Sequence, residues 1–103
     1  IQPEDTERVT SFAMAAEMFG FRLFHLEAGS GASSPVSSDL IKAARSSTDL
    51  PIVVGGGIRG VEAARRAVES GADWIVTGNL GEEFDDADEL KAVLQEMIKA
   101  INP

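Results

Sequence analysis

Apolar and polar positions along the chain switch between helical and strand-like spacing, and the switches mark out its elements. Val9, Phe12, Ala13, Ala16 and Phe19 recur at the spacing of one helix face. Pro3, Glu4 and Asp5 suit that helix's first turn, where no proline N–H is needed and acids meet the dipole; Gly20 can close it. Phe21 to Leu26 is a nearly continuous apolar run broken by Arg22 and His25, as in parallel strands covered on both faces. Side chains alternate along a strand, so Leu23, His25 and Glu27 share one face while Phe24 and Leu26 share the other. A small-residue loop from Gly29 to Ser34 follows, and Pro35 with Ser37 or Ser38 introduces a short helix through about Ser46. Leu50 to Val54 predicts a second strand, with Pro51 tolerated at its start. Val61, Ala64 and Val68 mark the next helix, with Glu62 in its first turn and Gly71 past its end; Trp74 to Thr77 predicts the third strand. The last helix begins near Asp86, where Asp86 and Glu89 have capping-box spacing. Leu90, Val93, Leu94, Met97, Ile98 and Ile101 form its apolar stripe, which predicts packing against the sheet.

A helix followed by three strand–loop–helix units predicts an α/β fold with a parallel sheet and right-handed crossovers. Three such strands alone would leave two apolar edges open to water. The sheet is therefore expected to continue in residues outside this sequence or in another chain. A (β/α)8 TIM barrel of about 250 residues is the natural whole. Residues 1–103 would supply roughly its last three βα units and the preceding helix, as the carboxyl-terminal part of a single barrel domain. The opening Ile1-Gln2-Pro3, without an initiator Met, also reads as a segment of a longer chain.

Composition narrows the function classes. With 44% hydrophobic and 25% charged residues the chain is an ordinary globular domain of 103 residues. It has no run of about 18 apolar residues and no signal-peptide pattern, so it is not expected to span a membrane. The absence of cysteine fits a cytoplasmic location and excludes a thiolate metal site. A formal charge of −8 leaves no basic stripe for nucleic acid. A small anion needs only local donors and stays possible.

Those donors are suggested by Val53-Val54-Gly55-Gly56-Gly57-Ile58-Arg59, where a β-branched run stops in three glycines before a helix. Backbone without Cβ atoms can turn sharply and present bare N–H groups to a phosphate, with the helix dipole adding to them. Two more glycine loops, Ala28-Gly29-Ser30-Gly31-Ala32 and Thr77-Gly78-Asn79, each follow a strand-like run. In barrels the chemistry sits at strand carboxyl ends, and phosphate sites favour the loops after strands seven and eight. Glu27 ends an apolar strand, where a carboxylate is costly unless bonded or paired. It either orients a substrate hydroxyl and accepts its proton, or serves as a structural partner for His25 or Arg59. Arg59 itself either neutralises phosphate or pairs outward with Glu62. Gly29-Ser30-Gly31 is either a plain flexible loop or a cover that closes on substrate. Glu82, Glu83, Asp85, Asp86, Asp88 and Glu89 read as a solvated helix start rather than a metal site. Trp74 either packs on its own sheet or at a subunit interface.

His25-Leu26-Glu27-Ala28-Gly29-Ser30-Gly31-Ala32, then Pro35-Val36, then Gly55-Gly56-Gly57-Ile58-Arg59, then Thr77-Gly78-Asn79 resembles the carboxyl-terminal portion of the geranylgeranylglyceryl phosphate synthase family. The resemblance implies a prenyltransferase that joins the C3 hydroxyl of sn-glycerol 1-phosphate to an allylic prenyl diphosphate, with geranylgeranyl diphosphate the expected donor, in ether-lipid synthesis. It further implies that His25, Leu26, Glu27, Ala28, Gly29, Ser30, Gly31, Gly56, Gly57, Gly78 and Asn79 hold sn-glycerol 1-phosphate, with Glu27 as the catalytic candidate. Mg²⁺ would assist the diphosphate through ligands upstream of this chain, and a homo-oligomer is expected. The family usually has tyrosine where this chain has His25, which is shorter but still a donor. Two rival readings remain. One is another phosphate-binding barrel enzyme, an isomerase or lyase. The other is a non-catalytic half-barrel that binds phosphate or self-associates.

Overall fold

The computed structural model describes residues 5–28, 34–77 and 86–101. Their order is α1 (Thr6–Met18), β1 (Phe24–Glu27), α2 (Ser38–Ser47), β2 (Ile52–Gly55), α3 (Val61–Ser70), β3 (Trp74–Val76) and α4 (Ala87–Ile101). The three strands form a parallel sheet in the order β1-β2-β3. Each βα unit thus returns to lie beside the one before it, as the alternating pattern predicts.

Local chemistry sets the helix ends. Gly20 takes a φ of 78° after α1, letting the Phe21 N–H reach back to the Ala16 carbonyl at 3.0 Å. The Ser37 hydroxyl accepts from the Leu40 N–H at 3.4 Å and caps α2. Asp86, the expected start of the last helix, accepts from the Asp88 N–H at 2.9 Å through its carboxylate. None of the described helices is long and apolar enough to cross a membrane.

The core lies between the sheet and one helical layer. In parallel register, Phe24, Leu26, Ile52, Val54 and Ile75 share a face. They meet Val9, Leu40, Ile41, Ala44, Ala64, Ala67 and Met97 from all four helices. α1 packs on α2, α2 on α3 and α3 on α4, so the helices run along one side of the sheet. The opposite face carries His25 and Glu27 of β1, Val53 and Gly55 of β2, and Trp74 and Val76 of β3. No described helix covers it, and Trp74 stays 60% exposed and Val76 44%. Val53 is buried there because the central strand places it between His25 and Trp74.

This arrangement corrects several expectations. Among the described residues β1 is covered on one face, not both, whereas the central β2 is buried on both. β1 starts at Phe24 rather than Phe21, because pairing begins where the Phe24 N–H donates to the Pro51 carbonyl at 2.9 Å. Leu50 and Pro51 likewise precede β2. Phe12 and Phe19 share the helical spacing of the α1 core residues, yet both are exposed. On α4, Leu90, Val93, Met97 and Ile101 pack on the core, whereas Leu94 and Ile98 face outward.

A polar clamp ties the amino ends of β2 and β3. The Arg45 guanidinium donates to the Thr48 carbonyl at 2.8 Å, the Leu50 carbonyl at 2.9 Å and the Asp73 carboxylate at 2.9 Å. The same Asp73 oxygen accepts from the Ile52 N–H at 2.9 Å. Loop carbonyls that lack ladder partners are satisfied in this way.

Candidate functional site

The predicted site residues that fall within the described structure gather at the carboxyl ends of β1 and β2. His25 and Glu27 project from the open face two positions apart, and the His25 Nε2 lies 3.1 Å from the Glu27 Oε2. Both side chains are a little under half exposed, so each can still meet a ligand. Of the two partners considered for Glu27, His25 is present at contact distance. A neutral imidazole donates one hydrogen bond here, and a protonated one adds charge.

Glu27 pairs in register with Gly55 on β2. A Cβ on Gly55 would stand 2.7 Å from the Glu27 Oε2, 3.5 Å from the His25 Nε2 and 3.2 Å from the Val76 Cβ. The carboxylate therefore lies across the bare backbone of the neighbouring strand. Sequence reasoning treated the three glycines as one turn and missed that the first belongs to β2. The signal that could have found it is its place at the end of the β-branched run.

Gly56 and Gly57 follow with φ of 86° and 71°, so the chain turns out of β2 through two left-handed residues. The side of Gly57 where a Cβ would sit is closed, with the Ser34 carbonyl and the Pro35 nitrogen at 2.7 and 2.8 Å. A larger residue there would strike loop backbone first.

Leu26 and Ala28 take different places. Leu26 is buried on the helix-covered face, so its side chain belongs to the core. The Ala28 N–H donates to the Gly55 carbonyl at 3.0 Å and is spent on the sheet. Glu62, one partner considered for Arg59, is engaged by Arg65 in an i,i+3 pair. Gly29, Ser30 and Gly31 of the first glycine loop, Gly78 and Asn79 of the third, and Glu82, Glu83 and Asp85 of the acidic run lie outside the described residues. β2 and β3 end side by side at Gly55 and Val76. Among the described residues no three His, Asp or Glu side chains gather to hold a metal ion.

A cleft of about 760 Å³ opens beside this pair along β1. Its lining is mostly apolar, including Phe12, Phe19 and Leu23, with His25, Glu27 and Ser34 among its polar members. An apolar hollow with a few convergent polar groups is the usual form of a small-molecule site.

Known proteins of the same kind share this architecture. The geranylgeranylglyceryl phosphate synthase of Thermococcus gammatolerans is 47% identical over 87 residues, covering 84% of this chain and 34% of that protein. The Thermoplasma acidophilum synthase is 41% identical over 100 residues, covering 96% of this chain and 40% of its own length. The crystal structure of (S)-3-O-geranylgeranylglyceryl phosphate synthase from T. acidophilum, in complex with substrate sn-glycerol-1-phosphate, superposes with a TM-score of 0.90 at 38% identity. That match covers 98% of this chain and 40% of the solved one. The three βα units thus have the fold of part of a (β/α)8 barrel. The chain spans roughly a third to two-fifths of the length of these relatives. The PcrB family model matches residues 2–97, and with these relatives it shows that the chain belongs to the PcrB family.

Proposed function

We propose that this chain is the carboxyl-terminal part of a single TIM-barrel prenyltransferase acting in the cytoplasm. The reaction joins sn-glycerol 1-phosphate to a long-chain prenyl diphosphate, geranylgeranyl diphosphate being the donor that the relatives' names suggest. The chain's own contribution is the glycerol-phosphate half of the site. The observation that carries this is the His25–Glu27 pair standing beside the left-handed Gly56-Gly57 turn at one end of a parallel sheet. Support comes from the T. acidophilum enzyme, which binds sn-glycerol 1-phosphate and shares the fold at a TM-score of 0.90.

In this reading the Glu27 carboxylate accepts hydrogen bonds from the glycerol hydroxyls and aims the C3 oxygen at the prenyl carbon. His25 donates to a glycerol or phosphate oxygen. The amides at Gly56 and Gly57, with those at Gly78 and Asn79, face the phosphate, and the Gly29–Ser30–Gly31 loop covers the site. Attack by the C3 oxygen forms the ether C–O bond, pyrophosphate leaves with the bonding pair, and the hydroxyl proton passes to Glu27 or solvent. Orientation is the larger part of the carboxylate's role, since a well-placed nucleophile removes much of the entropic barrier. The family resemblance also implies Mg²⁺. The described residues gather no site for it, so no step here is assigned to it.

The test uses the full-length protein carrying this segment, supplied with sn-glycerol 1-phosphate, Mg²⁺ and a radiolabelled prenyl diphosphate. Ether product is expected, and Glu27→Gln should lower turnover at least tenfold without unfolding the protein, on the scale of a lost charged hydrogen bond, about 1.5–3 kcal/mol. Unchanged turnover in that variant would remove Glu27 from the mechanism. A second reading applies to the 103 residues alone: a half-barrel that binds phosphate or self-associates without turnover. The exposed Trp74 and Val76 on the uncovered face favour it, and binding without product would support it.

A further inference from the structure

We propose that Gly55 is a positioning residue: its missing Cβ is what lets the Glu27 carboxylate lie across β2 toward His25. The inference deepens the reading above and rests on Glu27 contacting the glycerol hydroxyls. Three observations carry it. First, Gly55 is buried in mid-sheet, paired with Glu27 on one side and Val76 on the other. Its φ is not positive, unlike those of Gly56 and Gly57, so the backbone there would accept any L residue. Glycine weakens a strand relative to a residue with a side chain. Backbone shape therefore does not account for this glycine.

Second, space does. The nearest atom to a Cβ at Gly55 is the Glu27 Oε2 at 2.7 Å, closer than a carbon and an oxygen can approach without one moving. The His25 Nε2 follows at 3.5 Å, so the same bare backbone lies under both members of the pair. Third, the group that would move has solvent beside it. Glu27 is 43% exposed and its carboxylate is the far end of a flexible side chain, so the added methyl would turn it away rather than break the sheet. Val76 must give by a few tenths of an ångström, with its Cβ at 3.2 Å. The predicted consequence is selective: the fold survives, and the carboxylate loses its aim.

The experiment is a cycle of Gly55→Ala, Glu27→Gln and the double variant in the full-length protein. It is read by calorimetric affinity for sn-glycerol 1-phosphate and by a crystal structure of Gly55→Ala. Gly55→Ala should weaken binding about 10- to 100-fold, the range for hydrogen bonds to a charged group. The double variant should bind no worse than Glu27→Gln, because the glycine acts only through that carboxylate. The crystal structure should show Glu27 turned away and its contact with His25 broken. Losses that multiply in the double variant, or a Gly55→Ala protein with Glu27 unmoved, would overturn the proposal. If Glu27→Gln alone binds normally, the substrate role of Glu27 falls, and the crystal structure still decides what Gly55 does. If Gly55→Ala does not fold, adding Glu27→Ala should restore it. Failure to restore would mean that the glycine spares Val76, and the proposal would be wrong.

Discussion

Replacing Gly57 with alanine tests how Ser34 and Pro35 are seated on the β2 turn, and Gly20 supplies its control. Both glycines are left-handed, with φ of 71° and 78°, so an alanine at either pays a similar conformational penalty of about 1–2 kcal/mol. They differ in surroundings. A Cβ at Gly20 would meet nothing within 4 Å, whereas at Gly57 it would stand 2.7 Å from the Ser34 carbonyl carbon and oxygen. Those are backbone atoms held next to Pro35 and the Ser37 cap, and they cannot swing aside as a side chain does. Forcing one methyl into such a contact adds about 1–3 kcal/mol. Gly20→Ala should therefore lower unfolding free energy by about 1–2 kcal/mol and Gly57→Ala by about 2–5 kcal/mol. Urea titration of the two variants of the full-length protein, with m-values compared to confirm a common denatured state, gives the difference directly. Equal losses would refute the reasoning, since they would mean that Ser34 and Pro35 do not rest on Gly57. The pair also shows how to read binding data. A fall in phosphate affinity at Gly57 counts as loss of an anion contact only beyond what displacement of the 34–35 backbone explains.

Other expectations follow from the same geometry. Arg45→Ala should cost about 1–3 kcal/mol of stability by urea titration while leaving substrate affinity unchanged. The ion pair with Asp73 is partly exposed and contributes little, so the loss comes from stripping donors off the Thr48 and Leu50 carbonyls. An Arg45→Lys variant that restored full stability would show that charge alone suffices. His25→Tyr should keep affinity for sn-glycerol 1-phosphate within about threefold, and His25→Phe should lose about tenfold, because only the former retains a donor. Equal affinities would remove His25 from the polar contacts. The 103-residue chain on its own should self-associate at micromolar concentration in sedimentation velocity, through the face bearing Trp74 and Val76. A monodisperse monomer would show that the face tolerates water.

Much of the fold was legible because parallel α/β chains write each element as a distinct apolar period. β1, β2 and β3 lie within or at the ends of the predicted runs, and Ser37, Gly20, Gly71 and Asp86 punctuate the helices as expected. Boundaries slipped where partners, not propensity, decide. Phe21 and Leu23 have strand-like character but no described partner to pair with, and ladder bonding starts at Phe24. Phe12 and Phe19 obey helical spacing, but that side of α1 meets no other described element in the core. At the site, His25 and Glu27 were legible because strand alternation places them on one face. The Gly55 contact was not, since it depends on the register between two strands. The Arg45 clamp was equally hidden, because Arg45 and Asp73 stand 28 residues apart.

The two ends of this sheet have separate duties. Arg45 and Asp73 fasten the strands where they begin; under the proposed function, Glu27, Gly55 and the left-handed turn act where they finish. Between them run strands of three or four residues whose inward side chains are plain aliphatics and one phenylalanine. Under the proposed function, a different phosphorylated acceptor would be met by changes at positions such as Glu27, while the Arg45 clamp and the Gly57 turn stay as they are. A mutational scan should show Arg45 and Gly57 scoring alike by growth and by folding, and Glu27 losing growth while the protein still folds.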